Sequence, residues 1–246
     1  MFIVDTYFTA VIFCVITMLC WGSWANTQKL ASKSWSFQLY YWDYALGVVL
    51  FSLVMALTLG SNGDSGREFL QDIQQASTSA LMSAFIGGVI FNLANLLIVA
   101  AIDIAGMAVA FPVGIGIALV LGVLVNYFAV PVGDPLLLFS GVFLVALAII
   151  FDALAYRGVS DSDHHVSNKG ILLSVLGGVL MGFFYRFVAA SMSLNFSEPE
   201  IGMMTPYSAV FVFSLGLLIS NFIWNTIFMY RPLTGSSVTY GDYYLK

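Results

Sequence analysis

Seven apolar runs, each about as long as a bilayer core is thick, make up most of this 246-residue chain. Their bounds read as 7–25, 38–59, 80–101, 104–128, 135–156, 170–192 and 205–230. Crossing a hydrocarbon core takes about 20 apolar helical residues, and a helix satisfies its own backbone there. The sequence therefore predicts an all-α, polytopic transmembrane bundle. Hydrophobic residues are 60% of the chain and charged residues 9%, against about 25% charged in soluble domains. So few charges cannot cover a soluble surface, so the expected partner is the lipid bilayer and not nucleic acid. The first run has only Asp5 before it and no basic lead, and it exceeds a usual signal-peptide core. It reads as an uncleaved helix. Cys14 and Cys20, six apart within it, point about 120° away from each other and cannot pair.

The basic residues give the orientation. Lys29, Lys33, Arg157, Lys169, Arg231 and Lys246 fall on one side of the membrane, and Arg67 alone on the other. The positive-inside rule then makes the N-terminus external and the tail cytoplasmic. Trp35, Phe37, Tyr40, Tyr41, Trp42 and Tyr44 form a cytoplasmic aromatic belt. Residues 60–66 make an external turn, and the polar stretch 67–79 suits an interfacial helix. Asp161, Asp163, His164 and His165 cluster in one loop without a spacing that fixes a coordination geometry, so they read as solvated. No metal or cofactor is expected.

Small residues recur every fourth position within the spans. The fourth run carries Gly106, Ala110, Gly114, Ala118, Gly122 and then Asn126; the sixth carries Gly170, Ser174, Gly178, Gly182 and then Arg186. Gly88 precedes Asn92, and Gly22 precedes Asn26, in the same way. Such ladders let membrane helices approach closely. The polar residues that end them need partners or a wet cavity. Asn92 and Asn95 share a helix face and suit either an interhelical pair or a solute. Arg186 suits either a cavity or snorkelling to the near interface. Asp43 is a coupling-ion candidate or a solvated helix-start residue. Pro112, flanked by Gly114 and Gly116, frees backbone groups inside a span, whereas Pro206 is an ordinary helix start.

Other seven-span classes fail on their residues. A retinal protein needs a lysine in the last run, and 205–230 contains none. After the third run the chain reads Ala101-Ile102-Asp103-Ile104-Ala105, not an acidic-Arg-aromatic triplet. No serine–histidine pair or aspartate pair lies within the spans, so no enzyme is expected. Residues 14–27 lie on 174–187 without gaps, matching Val15 to Val175 and Gly22 to Gly182, with Asn26 opposite Arg186. An offset of five spans inverts the second copy, which is a transporter signature.

The segments CWGSWANTQKL, YYWDY and FNLANLLIVAAIDIAGMAVAFPVGIGIALVLGVLVNY resemble the drug/metabolite transporter superfamily. Within it the chain looks most like bacterial relatives of the ureide permeases and of the glucose and rhamnose uptake families. That resemblance implies a ten-span fold of two inverted five-helix repeats and alternating-access transport of a small polar metabolite, often coupled to H+ or Na+. Residues 1–156 would form the first repeat, 157–169 an inter-repeat loop, 170–230 two helices of the second repeat and 231–246 a polar tail. By position, Trp21, Asn26, Asn92, Asn95, Asn126, Arg186 and Tyr207 are the substrate-binding candidates. Three helices of the implied fold are missing, so the chain is expected to be a fragment or to pair with a copy or a complementary subunit. The expected location is the bacterial inner membrane. A non-transporting assembly partner is the alternative.

Overall fold

The computed structural model describes residues 1–31, 35–159, 167–233 and 235–245. Lys33, Asp161, Asp163, His164, His165 and Lys246 lie outside the described residues. The elements are α1 (Tyr7–Ala31), α2 (Phe37–Leu57), α3 (Phe69–Gln75), α4 (Thr78–Ala105), α5 (Met107–Ala129), α6 (Pro135–Val159), α7 (Asn168–Ala189), α8 (Pro206–Tyr230) and α9 (Tyr240–Leu245). Among the described residues, seven of these helices are long and apolar enough to cross a bilayer. They are the seven predicted runs, and α3 falls in the predicted interfacial stretch.

Local chemistry fixes where the helices start. The Ser77 hydroxyl accepts from the Ala80 N–H at 3.2 Å and opens α4. The Asp134 carboxylate accepts from the Leu136 and Leu137 N–H groups at 2.8 and 3.1 Å, ahead of Pro135 in α6. Pro206 starts α8, where a missing N–H has no helical partner to lose. Gly106 alone joins α4 to α5, at a φ of +79° that favours glycine. The sequence placed Gly106 on a packing ladder; it is instead the turn itself, and a Cβ there would meet nothing within 4 Å. Pro112 sits inside an unbroken α5, leaving the Ala108 carbonyl without its helical donor.

Glycines decide how the helices pack. Gly88 of α4 lies against the Phe213 carbonyl of α8, and Gly216 of α8 lies against the Phe85 carbonyl of α4. Gly178 of α7 lies against the Gly114 carbonyl of α5, and a Cβ on Gly122 would sit 3.6 Å from the Gly182 carbonyl. Gly87 faces Val188, and Gly177 faces Ala94 and Ile98, across the α4–α7 contact. These pairings set α7 parallel to α5 and antiparallel to α4, while Asp72 bonded to Thr205 ahead of α4 and α8, and Asn92 bonded to Ser220 further along, show α8 parallel to α4. Phe91, Phe184 and Phe213 then meet edge to face or tilted, with centroids 5.0 to 5.8 Å apart. Gly22 takes no part, since a Cβ there meets nothing within 4 Å. α6 rests mainly on α5, and α1 touches the bundle chiefly through α2. Their exposed Val, Leu, Ile and Phe side chains suit lipid.

One polar clasp joins the loops on the N-terminal face. Arg67 donates to Asp72 at 2.8 Å and to the Met203 and Pro199 carbonyls at 3.2 and 2.8 Å. Asp72 is wholly buried and also accepts from the Thr205 N–H and hydroxyl at 2.7 and 2.9 Å. Gln75 accepts from the Gly202 N–H at 2.6 Å and donates to the Met203 carbonyl at 2.9 Å. A buried carboxylate is tolerated when every oxygen is occupied in this way. The clasp holds residues 190–205, between α7 and α8, against α3.

If the glycine contacts set the packing, Gly178→Ala should drive its Cβ into the Gly114 carbonyl and cost about 1–3 kcal/mol. Gly22→Ala should leave stability unchanged. Thermal unfolding of the two variants in detergent measures this, and equal melting temperatures would contradict it.

Candidate solute cavity

A cavity of about 760 Å³ opens between α1, α5 and α7, within the size range of small-molecule sites. Its polar lining groups come from three helices: Trp21 of α1, Asn126 and Tyr127 of α5, and Tyr185 and Arg186 of α7. Ala118, Gly122 and Gly182 line it at the α5–α7 seam, so the small residues that let these helices touch also shape its wall. Val130, Val132 and Leu194 lie at its rim on the N-terminal face. Leu194 belongs to the loop that the Arg67–Asp72 clasp holds.

Each polar group is positioned by its helix. Asn126 donates one amide hydrogen to the Gly122 carbonyl at 2.7 Å, which fixes the side chain along α5. Tyr127 packs edge-on against Phe139 of α6, with centroids 5.2 Å apart. Arg186 stands in the last turn of α7, and among the described residues its guanidinium has neither a hydrogen bond nor an ion pair. Trp21 presents its ring from α1, 41% exposed. A flat solute could therefore meet aromatic faces, a carboxamide and a guanidinium in one place.

Three of the seven substrate-binding candidates line this cavity: Trp21, Asn126 and Arg186. The other four are elsewhere. Asn92 is wholly buried between α4 and α8, donating to the Ser220 hydroxyl at 2.9 Å. Asn95 donates to the Tyr41 hydroxyl of α2 at 3.1 Å. With the Ser52–Ser214 bond at 2.8 Å and Asn225 donating to the Gln38 carbonyl at 2.8 Å, they form a polar seam through α2, α4 and α8. Asn26 is exposed on α1. Tyr207 donates to the Phe2 carbonyl at 3.1 Å, on the N-terminal face.

Asp43 also lies apart from the cavity. It is exposed and accepts a hydrogen bond from the Tyr243 hydroxyl of α9. That bond pushes the Tyr243 phenol up to about 12, so it stays protonated at neutral pH and is lost only as pH rises towards that value. Trp35 stacks on Tyr243 at 5.5 Å, pinning α9 beside the start of α2. Tyr127 and Tyr185 went unassigned in the sequence, although each is the chain neighbour of a named candidate. Asp72 went unassigned as well; its one signal was the lone loop arginine of that face, five residues before it.

A multi-pass helical membrane protein with a solute-sized cavity open between its helices is the class that fold and site define. The family model described as Ureide permease matches residues 40–169, and the chain belongs to that family. Ureide permease 1 of Arabidopsis thaliana is 27% identical over 171 residues, covering 68% of this chain and 44% of that protein. Ureide permease 3 of Arabidopsis thaliana is 22% identical over 265 aligned positions, covering 96% of this chain and 76% of that protein. The chain thus spans less than half the length of the first relative. No solved structure matches it.

Proposed function

We propose that the chain works as a permease rather than an enzyme, moving a small ureide-type solute through the α1/α5/α7 cavity by alternating access. The observation that carries this reading is the meeting of Trp21, Asn126 and Arg186 in one cavity, in a chain of the ureide permease family. A ureide offers a flat unit with a carbonyl acceptor and N–H donors. Arg186 supplies donors, the Asn126 oxygen supplies an acceptor, and Trp21, Tyr127 and Tyr185 supply faces to pack on. We place the family in the drug/metabolite transporter superfamily, on the resemblance of Trp21-Gly22, Asn92, Asn95 and Asn126-Tyr127. We place the chain in a bacterial inner membrane, with the face bearing Arg67 outside.

Uptake of radiolabelled hydantoin and hydantoate into vesicles reconstituted with the chain tests the function. At least one solute should enter, and Trp21→Ala with Asn126→Ala should lower its rate at least about tenfold, the scale of losing two direct contacts. Asn92→Ala should lower stability yet leave uptake per folded molecule within about twofold, because Asn92 ties helices together and lies outside the cavity. No uptake of either solute by the wild type would favour the assembly-partner reading instead. For sidedness, an impermeant maleimide should label Asp64→Cys in intact cells and Ser237→Cys only after permeabilisation, both in a Cys14→Ser, Cys20→Ser background. The opposite pattern would invert the orientation.

A further inference from the structure

We propose that the solute bound in this cavity is an anion, a ureido carboxylate, and that Arg186 is its charge partner; this deepens the permease reading and rests on it. Two arginines, Arg67 and Arg186, lie towards the face that carries the N-terminus. Arg67 is paired with Asp72 at 2.8 Å. Among the described residues Arg186 has no such partner, and no aspartate, glutamate or second cation of theirs lines the cavity. Met181, Phe184, Tyr185, Ala189 and Leu194 line the same cavity. An arginine near hydrocarbon is costly unless it is paired or wet. Snorkelling accounts for a guanidinium that leaves the bundle, but this one lines the cavity with the solute-sized space beside it.

The missing counter-charge is therefore brought by the solute. A guanidinium meets a carboxylate with two parallel N–H···O bonds, an arrangement that a lysine or a neutral donor does not reproduce. Apolar walls strengthen that pair relative to water, because they lower the local dielectric. The ureido end is left for Asn126, whose oxygen is free of the bond that its nitrogen makes to Gly122. A cationic solute would meet an unpaired guanidinium and no carboxylate, so the same arrangement rejects it.

Three probes separate charge from shape: hydantoate, its neutral isostere N-carbamoylglycinamide, and the neutral ring hydantoin. Titration calorimetry on the full chain in phosphatidylcholine nanodiscs leaves no anionic headgroup to compete. Hydantoate should bind at least about tenfold tighter than the amide or hydantoin. Arg186→Gln should weaken hydantoate about 10–100-fold while changing the amide less than about threefold, and Arg186→Lys should keep part of the affinity. A purely structural role would weaken both solutes alike and would overturn the inference. So would hydantoin or the amide binding as tightly as hydantoate, which leaves the permease reading standing. If Arg186→Gln does not fold, the comparison of hydantoate with its amide on the wild type decides alone. Binding of none of the three removes the ureide reading, and this inference with it.

Discussion

Close backbone contact at glycines is the interaction on which this structure depends. Lipid offers no hydrophobic reward for bringing two apolar helices together, so van der Waals contact and interhelical hydrogen bonds must do it. Gly88 with Gly216 draws α4 and α8 together, Gly114 with Gly178 draws α5 and α7 together, and Gly87 with Gly177 closes α4 on α7. The cavity is the other side of the same geometry. Where Gly122 meets Gly182 the backbones nearly touch, and just beyond them Asn126 and Arg186 diverge from the seam into open space. A larger residue at the seam would push the helices apart and change the width of the site.

Charge is arranged in two contrasting ways on the face that carries the N-terminus. Arg67 and Asp72 are fully engaged with each other and with the 190–205 loop, which fixes the rim of the cavity through Leu194. Arg186 stands in the last turn of α7, and its guanidinium has no protein partner among the described residues. The first arrangement suits a fixed structural joint. The second suits a site that completes its charge balance with a visiting solute. On the opposite face, Asp43 is occupied by the Tyr243 hydroxyl, which ties the tail to the bundle.

Much of this was legible in the sequence, for reasons that differ by level. Hydropathy alone gives the seven spans, because bilayer thickness sets their length whatever their packing. Pro206 and the polar stretch holding α3 were legible from local chemistry. Helix faces were harder to read. The same spacing that put Asn92 beside Gly88 and Asn126 beside Gly122 leads to an interhelical bond in one case and a cavity wall in the other. Sequence periodicity places a residue on its own helix, whereas the neighbour opposite comes from tertiary packing. Gly106 illustrates the same limit: it continues a four-residue ladder in the sequence, but its positive φ makes it the α4–α5 turn. Gly22 matches the ladder pattern too, yet α1 meets the rest of the bundle chiefly through α2 and leaves it without a contact.

The permease reading requires solute to occupy the space between α1, α5 and α7. A single cysteine at Val123, on the α5 wall, in a chain whose Cys14 and Cys20 are replaced by serine, reports that occupancy directly. The rate of its alkylation by a small maleimide should fall in the presence of hydantoate, while a cysteine at Ser214, in the α2–α8 contact, should be indifferent to solute. An unchanged rate at Val123 with hydantoate demonstrably bound would place the solute elsewhere and contradict the account.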